Sequence, residues 1–80
     1  HHISWIKLFF WPSGEKFPYE VGHVEFSAHG ASTEGPDTST VYTEPEAVFS
    51  FRTGKPGKLI AMSYCNIHGL WKSELEVQVV

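Results

Sequence analysis

Turn-forming residues punctuate this chain at intervals too short for helices, and that spacing decides what it can fold into. Pro12, Gly14, Pro18, Gly22, Gly30, Gly35-Pro36, Pro45, Gly54, Pro56-Gly57 and Gly69 cut it into short runs. No run between them places apolar residues at helical spacing over about ten positions. The runs are rich in β-branched and aromatic residues, the composition of strands bounded by turns. A first strand is expected over residues 3–11, closed by Pro12-Ser13-Gly14-Glu15, and a second over 19–28. The small, polar stretch 30–40 reads as a loop, with Val41-Tyr42-Thr43 as a short strand after it. Alternation of Ala47, Phe49 and Phe51 predicts a third strand over 47–53, and Lys55-Pro56-Gly57 turns it into a fourth over 58–64. The last strand is expected over 73–80, with Leu75, Val77 and Val79 on one face.

Five or six strands joined by short turns make an all-β domain, read as an immunoglobulin-like β-sandwich. Phe9, Phe10 and Trp11 make the first strand apolar on both faces, as in a central or doubly covered strand. A central strand starting at Ile3 needs neighbours, so the sandwich is expected to lack its N-terminal strand or strands. Two readings compete for His1 and His2: a purification-tag remnant, or an opening in mid-domain. The 80 residues amount to one domain, 1–80, small enough that a metal or oligomerisation would help it persist. Hydrophobic content of 41% and aromatic content of 15% argue against disorder. With a net charge of −3 there is no clustered basic face for nucleic acid. No apolar run approaches the roughly 20 residues of a membrane span. A single cysteine cannot form an internal disulfide, which favours a reducing compartment, the cytoplasm.

The chemistry concentrates in Tyr64-Cys65-Asn66-Ile67-His68-Gly69-Leu70-Trp71. Taken alone, a lone cysteine is a small buried hydrophobe. Cys65 and His68 together offer a thiolate and an imidazole, the donors that grip a soft or borderline transition metal. Positions i and i+3 of a flat strand point to opposite faces, so the chain must fold back for both to meet one ion. Asn66 and Gly69 tolerate the backbone angles of such a turn. A blue-copper electron-transfer site would share this layout, with His29 as its upstream histidine. It would also need a methionine after His68, and Met62 precedes Cys65 instead. A third reading is an immunoglobulin-like binding or structural fragment without catalysis.

Cys65-Asn66-Ile67-His68-Gly69-Leu70-Trp71 resembles the C-N-x-H-G-x-W signature of superoxide reductases, the neelaredoxin and desulfoferrodoxin group. Three further segments resemble that family in the same order. His1-His2-Ile3 with Trp5-Ile6 is similar to its E-H-H-I-x-W-I stretch, and residues 22–30 to its G-R-x-E-F-x-A-H-G segment. Residues 35–45 are similar to its G-P-N-T-S-x-V-Y-T-E-P loop. The small one-iron neelaredoxin type fits best. The resemblance implies a mononuclear iron, cycling between Fe2+ and Fe3+, with four equatorial histidines and an axial cysteine thiolate. It maps His1, Cys65 and His68 onto three of the five ligands. The family's other two histidines lie in upstream E-K-H-V-P and P-H-P-N segments that this sequence does not contain. The implied activity is one-electron reduction of superoxide to hydrogen peroxide, incomplete in this chain, with a rubredoxin-like electron donor.

Other residues carry smaller expectations. His2 alternates to the side of the strand opposite His1 and is not a ligand. His29 is expected to make a structural hydrogen bond in a turn, and His23 to lie on the surface or pair across strands. Trp71 is expected beneath the metal loop, and the backbone N–H groups of Ile67 and His68 are expected to point at the Cys65 sulfur. Glu44, Glu46, Glu74 and Glu76 read as a solvated face. The phenylalanine-rich first strand points to a homo-oligomer.

Overall fold

Four antiparallel strands form one sheet in a computed structural model that describes residues 1–79. They are β1 (Ile3–Pro12), β2 (Tyr19–Glu25), β3 (Gly57–Cys65) and β4 (Gly69–Val77), in the order β2-β1-β3-β4. The all-β reading holds, and the apolar first strand is central as its two-faced pattern predicted. The described residues form one sheet rather than two packed sheets. Both neighbours of β1, β2 and β3, come from this chain, so its central place does not itself call for missing strands. The Pro12–Glu15 turn joins β1 to the segment before β2, with the Glu15 amide donating to the Pro12 carbonyl at 3.1 Å. Gly14 takes a φ of 77°, the left-handed region such a turn requires.

The expected 47–53 strand does not pair with any neighbour among the described residues. Its alternation is real: Ala47 and Phe49 face inward while Val48 is 92% exposed. It satisfies that pattern by lying against the sheet rather than joining it. A Cβ on Gly22 of β2 would stand 2.9 Å from the Phe49 ring, so the glycine makes room for it. Phe51 meets Phe10 of β1 with ring centroids 5.4 Å apart. The expected strand at 41–43 reduces to a single bridge between Tyr42 and His29. The expected second strand ends at Glu25 rather than Ala28. The last strand begins at Gly69 rather than Ser73, because β3 and β4 form a tight hairpin that pairs Cys65 with Gly69. Its expected end at Val80 lies outside the described residues.

Cross-strand pairing sorts the side chains onto two faces. Phe10 opposite Leu59, Leu8 opposite Ala61 and Ile6 opposite Ser63 share one face, which the 47–53 segment partly covers. Trp5, Lys7 and Phe9 share the other with Tyr64, Met62 and Ile60. Trp5 stacks on Tyr64 at 6.0 Å, and the Lys7 ammonium sits 4.8 Å over the Trp5 ring. Phe10, Phe26 and Cys65 are the buried hydrophobic residues, at 3–4% exposure. No helix of the described residues is long and apolar enough to cross a membrane.

Candidate metal centre

Cys65 closes β3 and Gly69 opens β4, so Asn66, Ile67 and His68 bridge a hairpin with a three-residue loop. Such loops close through a residue in the left-handed region, usually glycine. Gly69 supplies it, with a φ of 80°. Asn66 was expected to share that freedom but has no positive φ. The tight reversal swings His68 back over the strand end, placing its Nδ1 3.4 Å from the Cys65 sulfur. That ring nitrogen is a direct contact of the sulfur. The Trp71 indole N–H donates to the His68 carbonyl at 3.1 Å and braces the loop from its side. Its ring is 61% exposed, so it does not pack beneath the loop as expected.

His1 reaches this loop through an irregularity in β1. Unbroken alternation would put the odd residues of β1 on the face of Lys7 and Phe9, opposite Cys65. The register shifts between Ile3 and Trp5, so that Ile3 pairs with Cys65 while Trp5 pairs with Tyr64. Ser4 is the extra residue of a β-bulge, and its carbonyl accepts from the Phe26 amide at 2.9 Å. A bulge re-aims the strand beyond it. Here it flips the parity, bringing Ile3 and His1 to the Cys65 side. The His1 and His68 rings then meet edge to face, with centroids 5.2 Å apart. One donor atom from each of His1, Cys65 and His68 lies within 4.8 Å of the others. Cys65 is buried and both histidines are exposed, so the cluster opens to solvent on its imidazole side.

The remaining histidines stand apart from this group. His2 stacks on His29, centroids 3.6 Å apart and planes 7° from parallel. Partial burial, and then the neighbouring His29 ring, hold the His2 imidazole below the usual histidine range. His29 Nε2 contacts the Phe26 carbonyl at 2.5 Å, the structural hydrogen bond expected of it. His29 is therefore committed to His2 and Phe26 rather than to Cys65, so it is not the upstream histidine that the copper reading assigned. Met62 lies on the face opposite Cys65, opposite Lys7 and Lys72. His23 pairs across the sheet with Lys7 and lies 3.4 Å from Glu20. A cavity of about 340 Å³ opens beside His1, lined by His2, Phe26, His29, Asp37 and Tyr42.

The chemistry of the cluster fits a transition metal. One thiolate and two imidazoles form a soft-to-borderline set that suits iron, zinc or copper and disfavours magnesium or calcium. Donors that share one ion at about 2.0–2.3 Å each stand roughly 3–4.5 Å apart. The 3.4 Å between the Cys65 sulfur and His68 Nδ1 falls inside that range.

Fold and cluster together define a small all-β protein that presents cysteine and histidine donors at one end of a sheet. Residues 1–74 match the family model described as Desulfoferrodoxin. The superoxide reductase of Pyrococcus furiosus is 60% identical over 78 residues, covering 98% of this chain and 63% of that protein. The neelaredoxin of Megalodesulfovibrio gigas is 51% identical over 77 residues, covering 96% of this chain and 59% of that protein. The solved structure of the superoxide reductase (neelaredoxin) from Archaeoglobus fulgidus in the reduced form is similar with a TM-score of 0.88 and 62% identity. The match covers 98% of this chain and 63% of that one. The chain therefore belongs to the desulfoferrodoxin family, the group of superoxide reductases and neelaredoxins. It spans about 60% of the length of these relatives.

Proposed function

We propose that this chain carries three of the protein ligands of a mononuclear iron centre, His1, Cys65 and His68, and that the protein is a superoxide reductase. The observation that carries the reading is the approach of their donor atoms to within 4.8 Å of one another, on elements 64 residues apart in sequence. The resemblance to superoxide reductases over nearly the whole chain supports it. The other two histidines of the proposed centre come from outside these residues. Bound iron would supply a one-electron reductant for superoxide at a site reached from solvent. The overall change is superoxide plus one electron and two protons to hydrogen peroxide, with no dioxygen released.

The chain's own residues have separable parts in this scheme. Cys65, buried at the end of β3, keeps its sulfur away from bulk water and presents it from beneath the two rings. His68 and His1 are neutral donors, so they leave the centre's positive charge available to attract an anion. Gly69 and Trp71 fix the loop that carries His68. The reading extends to a rubredoxin-like electron donor, a homo-oligomer and a cytoplasmic setting.

The stoichiometry of the iron-loaded protein tests it. Reductase activity yields one peroxide per superoxide consumed, with no oxygen evolution, and stops when external reductant is exhausted. Oxygen evolution with one peroxide per two superoxides would show dismutation instead. Failure of the iron-loaded protein to consume superoxide would overturn the reading.

A further inference from the structure

Residue 2 is gripped on three sides, and each grip bears on where His1 stands. The Asn66 side-chain oxygen accepts from the His2 amide at 2.6 Å. The Asn66 amide donates to the His2 carbonyl at 3.1 Å. On the other side the His2 ring lies flat on His29, which is itself held by the Phe26 carbonyl. The His2 amide is the peptide group that joins it to His1. Fixing both that N–H and the following carbonyl places the His1 Cα and leaves only the rotation about its Cα–C bond to aim the ring.

The bulge at Ser4 gives these contacts their place. The extra residue between Ile3 and Trp5 shifts the β1–β3 register, and pairing resumes with Ile3 opposite Cys65 as the last pair. The first two residues lie beyond that pair. Asn66 extends the alignment to them from the loop itself, because it directly follows Cys65 in sequence. The residue that sets the position of His1 is thus rigidly joined to the residue that supplies the sulfur.

We infer that Asn66 is a positioning residue for the metal centre: it carries no donor atom of the cluster but locks the His1-bearing end of β1 against the Cys65–His68 loop, with His29 as the second grip on His2. This rests on the ligand assignment proposed above. Such outer partners commonly contribute about 10–100-fold to metal affinity.

A double-mutant cycle with Co(II) as the probe tests it. Sulfur-to-cobalt charge-transfer absorption reports occupancy at Cys65 without any catalytic assay. Wild type, Asn66→Ala, His1→Ala and the double variant are titrated, with the fold checked by circular dichroism. Asn66→Ala and His1→Ala should each weaken Co(II) binding by about tenfold or more. The double variant should be no weaker than His1→Ala alone, because Asn66 acts through His1. Asn66→Asp keeps an acceptor for the His2 amide and should bind at least as tightly as wild type. The inference is overturned if the two losses multiply in the double variant, if Asn66→Ala binds like wild type, or if Asn66→Asp is as weak as Asn66→Ala. A His1→Ala protein that binds Co(II) like wild type overturns the ligand assignment itself, and this inference with it.

Discussion

The two ends of the β1–β3 ladder are built from the same strands and have opposite characters. At the far end the pairing is regular through Phe10–Leu59, Trp11–Lys58 and Pro12–Gly57. Polar groups there hold the turns. The Trp11 indole donates to the Glu15 carbonyl at 2.9 Å, Ser13 donates to the Pro56 carbonyl at 2.9 Å, and Lys55 pairs with Glu15 at 3.3 Å. At the near end a bulge breaks the ladder, a three-residue loop reverses the chain, and two imidazoles converge on a buried sulfur. The far end uses its polar atoms to close the fold. The near end uses its backbone irregularities to leave donor atoms facing one another. Mutations at the far end should therefore cost stability and spare metal binding, and those at the near end should do the reverse.

The sharpest way to break that contrast is Gly57→Ala. A Cβ there would fall onto the Trp11 carbonyl, 2.8 Å from Phe10 Cζ and 2.9 Å from Pro12 Cα. The clash is with backbone as well as with a ring, so relief requires the strands to part. Urea unfolding should show a loss of about 3 kcal/mol, the upper end for overpacking. The Co(II) affinity of the folded fraction should not change. A stable Gly57→Ala protein with impaired metal binding would reverse the assignment of the two ends.

His68→Ala is the counterpart at the near end. His68 is exposed, so the metal-free protein should keep its stability within about 0.5 kcal/mol. If His68 is a ligand as proposed, metal affinity should fall by at least the roughly 10–100-fold seen when outer partners are lost. Equal affinity would remove His68 from the centre. A smaller effect is expected of Trp71→Phe, which deletes the indole N–H that holds the His68 carbonyl. The loss is one exposed hydrogen bond, about 0.5–1 kcal/mol, and should appear as faster amide exchange confined to residues 66–69. Exchange that is unchanged in the loop would show that the indole does not brace it.

The smallest effect concerns Glu74 on β4. The hydrogen bond from Lys72, and then the charge of Lys58, hold its carboxyl below the usual carboxylate range. A carboxylate lowered in the folded state stabilises above its ordinary pKa and loses that contribution as pH falls through the folded value. Wild type should therefore melt slightly above Glu74→Gln at neutral pH. The gap should close as pH falls below about 4, the ordinary titration range of a carboxylate. A gap that persists unchanged into acid would show that the side chain acts by packing, not charge.

Much of this was legible in the sequence. The central first strand was readable because Phe9, Phe10 and Trp11 leave neither face polar. The Cys65–His68 pair was readable because its chemistry is local. Four features were not legible, each for a physical reason. Alternation in 47–53 specifies which side chains turn inward, but not whether a strand edge is free to receive them, and here Phe49 and Phe51 lie across the sheet instead. The hairpin start at Gly69 was missed because Leu70, Trp71 and Lys72 lack strong alternation; the close pairing of Cys65 with Gly69 sets the register. The bulge at Ser4 leaves no compositional mark, since an extra residue in a ladder is a property of two strands together. The hydrogen bonds between Asn66 and His2 were hidden for the same reason, being contacts between distant segments.

X-ray absorption at the iron edge of the iron-loaded protein tests the central claim most directly. Convergence of His1, Cys65 and His68 on one ion predicts a single sulfur bonded to iron together with imidazole nitrogens, the sulfur vanishing in Cys65→Ser and one imidazole vanishing in His1→Ala. Iron surrounded only by oxygen and nitrogen in the wild-type protein would contradict it.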